Sequence, residues 1–277
     1  MSGFSPEWLA LREPVDHRSR NAELAAALAA RFQQRNGVNV VDLGCGTGSN
    51  LRATAMLLPD VQSWTLVDYD ERLLGEARNA LARWADAAQV SGDQLALTKG
   101  PRQISVQFRQ ADLNAELDAV LGEKPDLVTA SALFDLCSPA FIKAFVRAAA
   151  ARGAVFYTVL TYNGIQRWTP RQPSDNAMMA AFHAHQTTDK GFGPSAGPTA
   201  PAHLADAFRL AGYSVLEGDS PWLLGAQDQA LVSDLASGFA GAVRETGAVD
   251  AKSIDAWTKI TRTGAEVGHT DTLAFPS

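Results

Sequence analysis

Short apolar runs of strand length alternate along this chain with longer segments whose apolar residues recur at helical spacing. Residues 38–43, 64–68, 103–109, 125–131 and 153–161 are rich in Val, Ile, Leu and Phe and read as strands. Between them, 49–58, 71–88, 114–122 and 139–151 read as helices. A helix rich in Ala, Leu and Arg at 16–35 precedes the first strand and is stopped by Asn36-Gly37. Strands alternating with helices predict a mostly parallel sheet covered on both faces. Right-handed crossovers make it doubly wound, and ligands in such sheets bind beyond the carboxyl ends of the strands, where the strand order reverses. Residues 90–102, with Ser91-Gly92-Asp93 and Gly100-Pro101, read as a loop or loose hairpin before the third strand.

The alternation stops at 162–200. This stretch carries Pro170, Pro173, an apolar helical patch (Met178, Met179, Phe182) and the run Asp189-Lys190-Gly191-Phe192-Gly193-Pro194. It predicts a helical cap with a Gly/Pro loop lying over the pocket mouth as a lid. A helix at 200–211, a strand at 213–217, helices near 227–246 and 253–264 and a strand at 268–275 follow. The expected organisation is one domain over 1–277: an N-terminal helical segment 1–36, a ligand-binding core 37–161, a cap 162–200, and 201–277 completing the sheet.

Composition narrows the function. The 277 residues are 46% hydrophobic and 19% charged, enough to bury a core. A formal charge of −6 and the lack of a basic stripe argue against nucleic acid as partner. No run is long enough to span a membrane, and Glu7, Arg12 and Glu13 break any signal-peptide pattern, so a cytoplasmic protein is expected. Two cysteines, Cys45 and Cys137, make neither a disulfide framework nor a zinc set, and no metal is expected. Oligomeric state leaves no trace in the sequence.

The chemistry concentrates at Asn39-Val40-Val41-Asp42-Leu43-Gly44-Cys45-Gly46-Thr47-Gly48-Ser49-Asn50. A buried strand ends, three glycines let the backbone turn tightly beside a ligand, and a helix starts with its free N–H groups toward the same place. A dinucleotide loop wants G-x-G-x-x-G, but here the third glycine, Gly48, comes one residue early and Ser49 stands in its place. No Gly-Lys-Ser/Thr follows, which excludes a P-loop. The second strand ends in Asp68, 20 residues beyond Gly48, where a βαβ unit sets a carboxylate against ribose hydroxyls. Asp70, not Asp68, fits the N-cap of the helix that follows.

Val-Val-Asp-Leu-Gly-Cys-Gly-Thr-Gly at 40–48, with an acid closing the next strand, resembles the class I S-adenosylmethionine-dependent methyltransferases. Phe108-Arg109-Gln110-Ala111-Asp112-Leu113 is similar to that family's third motif, which implies that Asp112 meets the adenine amino group. Pro125–Asp135 is similar to the fourth, which implies that the strand ending at Ser131 borders the methyl group. The resemblance spans roughly 36–160. It implies a seven-stranded Rossmann-like sheet with an antiparallel last strand, S-adenosylmethionine as cofactor, and a cofactor-binding set of Arg20, Asp42, Gly44, Cys45, Gly46, Gly48, Asn50, Asp68, Tyr69, Asp112, Leu113 and Ser131. Arg20 enters because an Arg in this region of related enzymes pairs with the methionine carboxylate. Arg18 and Arg20 are i,i+2, so one helix face takes only one of them.

Methyl transfer from a sulfonium is an in-line displacement, so the protein mainly aligns nucleophile, methyl and sulfur. A hydroxyl nucleophile is helped by a base. Asp135, just past the fourth strand, is the first acceptor-side candidate. His183 and His185 point about 200° apart on a helix, so at most one faces the pocket. His185, with Lys190 in the loop after it, completes the expected catalytic set Asp135, His185 and Lys190. Tyr162 and Asn163 are placed near the substrate; Trp222 is expected in the core or pocket wall, and His269 and Asp271 are expected to serve structure. The function expected is methyl transfer to a small molecule at oxygen or nitrogen. The alternatives are an RNA or protein methyltransferase, or a non-catalytic protein that binds the cofactor.

Overall fold

The structure, a computed structural model, describes residues 4–277. Two helices, α1 (Pro6–Ser19) and α2 (Ala22–Phe32), precede β1 (Gly37–Leu43). Then come α3 (Ser49–Thr54), β2 (Val61–Asp68), α4 (Glu71–Trp84), β3 (Ala87–Ser91), β4 (Gln94–Lys99), β5 (Arg102–Gln110), α5 (Leu113–Leu121), β6 (Leu127–Ser131), α6 (Pro139–Ala151) and β7 (Val155–Thr169). The chain ends with α7 (Asp175–Gln186), α8 (Ala200–Leu210), β8 (Tyr213–Asp219), β9 (Trp222–Leu224), α9 (Gln229–Thr246), α10 (Ala251–Thr258) and β10 (Gly264–Pro276).

The strands form one sheet in the order β3-β4-β5-β2-β1-β6-β7-β10-β8, with β9 on β10. Strands β5, β2, β1, β6 and β7 are parallel, and β10 runs antiparallel to β7 and β8. The order therefore reverses between β1 and β6, which opens a crevice beyond their carboxyl ends. Strand β1 shows why the sheet needs cover on both faces. Val38 and Val40 enter the core under α2 to α4, whereas Val41 and Leu43 enter the core under α5, α6 and α8. On the latter side Phe134, Phe145, Phe156 and Phe208 pack with ring centroids as close as 4.9 Å.

The sheet has ten strands where seven were expected. The extra three are the hairpin β3–β4 and the short β9. Gly92 (φ +59°) and Asp93 make a two-residue turn inside the predicted loop, and Leu95 and Leu97 alternate inward to fix β4 against β5. The helix expected at 16–35 is two helices. Arg20 is extended (ψ 142°), and Asn21 caps α2 by accepting from the Leu24 N–H. The last helix stops at Thr258 rather than 264.

Strand β7 runs past the expected residue 161 to Thr169, paired with β10 throughout. From Tyr162 onward it projects beyond the parallel strands by about 25 Å, at about 3.3 Å per residue. Helices α7, α9 and α10 pack on this ribbon. Their shared core is Trp168, Phe182, Phe239 and Trp257, with Trp168 and Trp257 edge-on at 5.2 Å. The cap thus draws on 222–269 as well as on the stretch 162–200 expected to form it alone. Arg262 lies over the Trp257 ring at 4.3 Å with its side chain 2% exposed, and Asp175 accepts from Trp257 Nε1 at 2.7 Å beside it. Removing one partner of a buried ion pair leaves the other charge unpaired. Asp175→Ala should cost about 3–5 kcal/mol in urea denaturation; a loss under about 1 kcal/mol would show that the aromatic contacts hold Arg262 unaided.

Candidate functional site

The site grows from the turn between β1 and α3. Gly44, Gly46 and Gly48 all have left-handed backbone, at φ +63°, +53° and +75°. A Cβ on Gly44 would lie 3.1 Å from Leu133, and one on Gly46 would lie 3.2 Å from Leu9. Glycine is therefore required twice over, by conformation and by space. Cys45 donates its N–H to Val67 O at 2.9 Å, pinning the loop to β2. Its buried thiol is pushed well up by desolvation, so Cys45 is structural.

Asp68 closes β2 against this loop. Its Oδ2 accepts from Gly46 N at 2.8 Å and its Oδ1 from Asp70 N at 3.0 Å. Each oxygen keeps a lone pair for a further donor. Burial raises its pKa, and the two amides pull it back. Tyr69 beside it is exposed, and its carbonyl is bonded by Gln110 Nε2 at the end of β5. Asp112 caps α5 through the Asn114 N–H at 2.9 Å and is exposed at the same end of the sheet, with Leu113 buried beneath it. Ser131 ends β6 half-buried. The residue after it, Ala132 (φ +51°), and Leu160 (φ +58°) on β7 are the two non-glycine residues with left-handed backbone among the described residues. Such strain persists where the surroundings over-determine it, and it gathers at functional sites.

A polar chain lies under the loop. Asn50 donates to Asp42 at 2.7 Å and to Thr129 at 3.0 Å, and its carbonyl accepts from Arg20 at 3.0 Å. Arg20 also donates to Thr54 at 2.9 Å. Asp42 is fully buried behind Asn50 and acts on the loop and Arg20 through that amide. Desolvation pushes it up to about 7. Arg18 turns the other way and pairs with Asp228 at 2.7 Å.

The expected acceptor-side residues are not all brought together. Asp135 follows β6, and its carboxyl lies beside the Tyr162 amide under the projecting ribbon. Tyr162 OH meets His183 Nε2 at 3.2 Å. His185 instead faces α9, 3.0 Å from Glu245, with Lys190 Nζ at 3.3 Å. The helical geometry separates the two histidines as expected, and His183 is the one turned toward Tyr162. The Lys190 loop is tied over α5 by Asn114 donating to Gly191 O at 2.7 Å, with Phe192 on Phe141 at 4.7 Å. His185 and Lys190 thus share a rim cluster with Glu245, apart from the Asp135–Tyr162 chamber.

The sequence reading places 1–36 in a helical segment but begins its first helix at residue 16, so the part of α1 that covers the glycine loop, 6–15, is missed. Leu9 sits over Gly46, Glu13 takes both Nε and Nη2 of Arg52, at 2.7 and 2.5 Å, and His17 contacts Ser49 at 3.0 Å. On its other side Arg12 bonds Asp16 at 2.8 Å and lies over Trp222, and Asp16 accepts from Trp222 Nε1 at 3.0 Å. A Pro at position 14 and an even mix of charge and apolar residues hide it from a periodicity search.

No protein-family model matches the chain, and no curated protein matches it. Its fold is similar to solved structures. A cyclopropane-fatty-acyl-phospholipid synthase-like protein from Lactobacillus casei ATCC 334 aligns at TM-score 0.55 and 15% identity, over 99% of this chain and 95% of that one. A cyclopropane synthase from Mycobacterium tuberculosis aligns at 0.52 and 14%, over 98% and 94%. Magnesium protoporphyrin IX methyltransferase from Synechocystis PCC 6803, with SAH bound, aligns at 0.50 and 14%, over 100% and 90%. The likeness is one of fold: the mostly parallel Rossmann-like sheet with its antiparallel last strand.

Asp42 offers a test of the polar chain. Its ordinary value of 3.8 is raised to about 7, so the folded state holds the proton more tightly. That contribution is full below about pH 4 and is lost as pH rises through about 7. The stability of Asp42→Asn relative to wild type should therefore rise between those values, by at most about 1.4 kcal/mol per pH unit. A pH-independent difference in denaturation would contradict the assignment.

Proposed function

We propose that this protein is an enzyme that binds S-adenosylmethionine at the carboxyl ends of β1, β2, β5 and β6 and transfers its methyl group to a small molecule held under the cap. The observation that carries this reading is the Asp68 carboxylate bonded to the Gly46 amide. It sets a two-oxygen acceptor against a glycine loop that has no Cβ to keep a nucleoside away. The residues fit the group. Asp68 retains lone pairs for both ribose hydroxyls, and Asp112 uses one oxygen on Asn114 and keeps the other for an adenine amino group. Gly44, Cys45, Gly46 and Gly48 supply the close backbone, with Tyr69 and Leu113 flanking the nucleoside. Arg20, Asn50 and Asp42 form a charged support on the amino-acid side, and Ser131 lies at the methyl side.

The cofactor supplies a carbon activated by positive sulfur. The chain's own task is alignment and exclusion of water. Leu9 on α1 and Leu133 after β6 close over the glycine loop. Asp135, Tyr162 and His183 line the acceptor side in the place first given to Asp135, His185 and Lys190. The cover from α1 and the cap favours a small acceptor over a macromolecule, as does the acidic balance. The two buried free thiols suit a reducing cytoplasm.

Calorimetry with S-adenosylhomocysteine tests the assignment. Hydrogen bonds to a charged group contribute about 1.5–3 kcal/mol, so Asp68→Ala should weaken binding about 10–100-fold, with a lowered melting temperature because the Gly46 and Asp70 amides lose their acceptor. Asp68→Asn, which keeps an acceptor oxygen, should weaken binding with a smaller loss of stability. Wild-type protein that binds neither the methyl donor nor its product, or an Asp68→Ala variant of undiminished affinity, would overturn it.

A further inference from the structure

Most carboxylates buried in this protein have a donor. Asp16 is met by Arg12 and Trp222, Asp42 by Asn50, Asp175 by Trp257, Asp228 by Arg18, and Asp271 by Leu160 N, Asn21 N and Ser220. Among the described residues, two carboxylates keep one oxygen that is shut off from the surface and has no hydrogen-bond partner, Asp42 Oδ2 and Asp135 Oδ1. Asp42 is met by Asn50 through its other oxygen, whereas the Asp135 carboxyl has only main-chain amides, its own and that of Tyr162, beside it. A buried carboxylate without a partner is costly, and evolved structures tolerate such groups mainly where a ligand completes them.

The surroundings say what kind of ligand. Asp135 comes three residues after the strained Ala132, at the end of β6. Asp135 lies beside Tyr162 on β7, whose ring meets Phe182 and His183 on α7 and His269 on β10; His269 in turn meets Trp222 on β9, under Arg12 of α1. His269 is held neutral, its pKa driven down to about 3 by burial and by Arg12. His183 Nε2 lies at 3.2 Å from both Tyr162 OH and Gly164 O. The Arg12 charge is taken up by Asp16 at 2.8 Å. Asp135 therefore feels Arg12 only at a distance, has no counter-ion bonded to it, and adjoins a cluster of aromatic rings, a group whose faces favour cations.

We infer that the methyl acceptor is a small amine, and that Asp135 is the group that binds its nitrogen. This rests on the reading that a methyl donor occupies the glycine loop. An ammonium or amine N–H supplies the donor that Asp135 Oδ1 lacks and a positive charge in direct contact with the carboxylate. A bound ammonium first gives one proton to Asp135, which passes it to solvent. The nitrogen lone pair so freed forms the C–N bond, and the C–S bond breaks with its pair going to sulfur, leaving a thioether. A proton of the methylated nitrogen then leaves through Asp135 to solvent. Burial pushes Asp135 up to about 6, which suits a group that takes a proton and releases it.

Two measurements on the full chain test this. In the unliganded protein at pH 8, Asp135→Asn should raise the melting temperature by a few degrees, because it removes an unpaired buried charge; a lowered melting temperature would show that Asp135 serves the fold, against the proposal. Wild type and Asp135→Asn are also incubated with methyl-labelled S-adenosylmethionine and a small-metabolite extract. The expected result is a labelled N-methyl amine from wild type and at least a hundredfold less from Asp135→Asn, with affinities for S-adenosylhomocysteine within twofold of each other. Label on oxygen, carbon or sulfur, undiminished labelling by Asp135→Asn, or no labelled small molecule from a wild type that binds S-adenosylhomocysteine overturns the amine assignment. A wild type that does not bind S-adenosylhomocysteine overturns the cofactor reading instead.

Discussion

The upper half of the molecule depends on a bulge in β7. Thr158 pairs with Thr272 and Thr161 with Thr270 on β10, so Val159 and Leu160 together oppose the single residue Asp271. The extra residue falls at Leu160, whose left-handed backbone is costly for a branched side chain. Asp271 compensates. One of its oxygens accepts from Leu160 N at 2.7 Å and from Ser220 Oγ at 2.5 Å, and the other accepts from Asn21 N at 2.9 Å. A single carboxylate thus fixes the bend in β7, the approach to β9 and the start of α2. The bend comes just where β7 leaves the parallel sheet and becomes the arm that carries the cap.

The same residue ties the upper half to the loop. Asn21 follows Arg20, and Arg20 reaches through Asn50 to Asp42 on β1. Helix α1 runs from this junction back over the glycines, clamped to α3 by Glu13 and to β9 by Asp16. The glycine loop and the projecting ribbon are therefore joined, as well as through the apolar core, through short, charge-assisted bonds. Such contacts have well-defined geometry, which suits a reaction whose main demand is alignment.

The sequence made the lower half legible because its signals are local. A glycine loop, an acid at the next strand end and a short apolar run each occupy fewer than about ten residues, the span over which pattern reading is most secure. Gly44, Gly46, Gly48 and Asp68 meet in the structure as their spacing predicts. The cap was less legible because its core is assembled from residues far apart in the chain: Trp168, Phe182, Phe239 and Trp257. Strand β7 beyond Tyr162 looks irregular until β10 is set beside it. The choice between His183 and His185 turns on the phase of α7 against β7, which depends on tertiary packing. Helix α1 sets Trp8, Leu11 and Val15 on the core, but Glu7, Arg12, Glu13 and Asp16 beside them and Pro14 within it blur the periodic signal.

Charge along the crevice gives these pieces a common sense. Asp42, Asp68, Asp135 and Asp271 are all pushed upward, first by burial. Acids whose charged form is disfavoured by burial respond strongly to a cation brought among them. On the proposed reading the donor arrives with positive sulfur, and the transfer moves that charge to the acceptor nitrogen. The positive charge then travels from the Ser131 side toward Asp135, which has an unpartnered buried oxygen and no cation bonded to it. A fixed negative group at the place where positive charge develops lowers the barrier without reorganising the protein at the moment of reaction. It would also weaken the hold on the sulfur-bearing product, which leaves the crevice uncharged at sulfur. An Asp135 already paired with an arginine would lose both effects. Arg12, which is close enough to act on Asp135, is instead turned to Asp16 and Trp222.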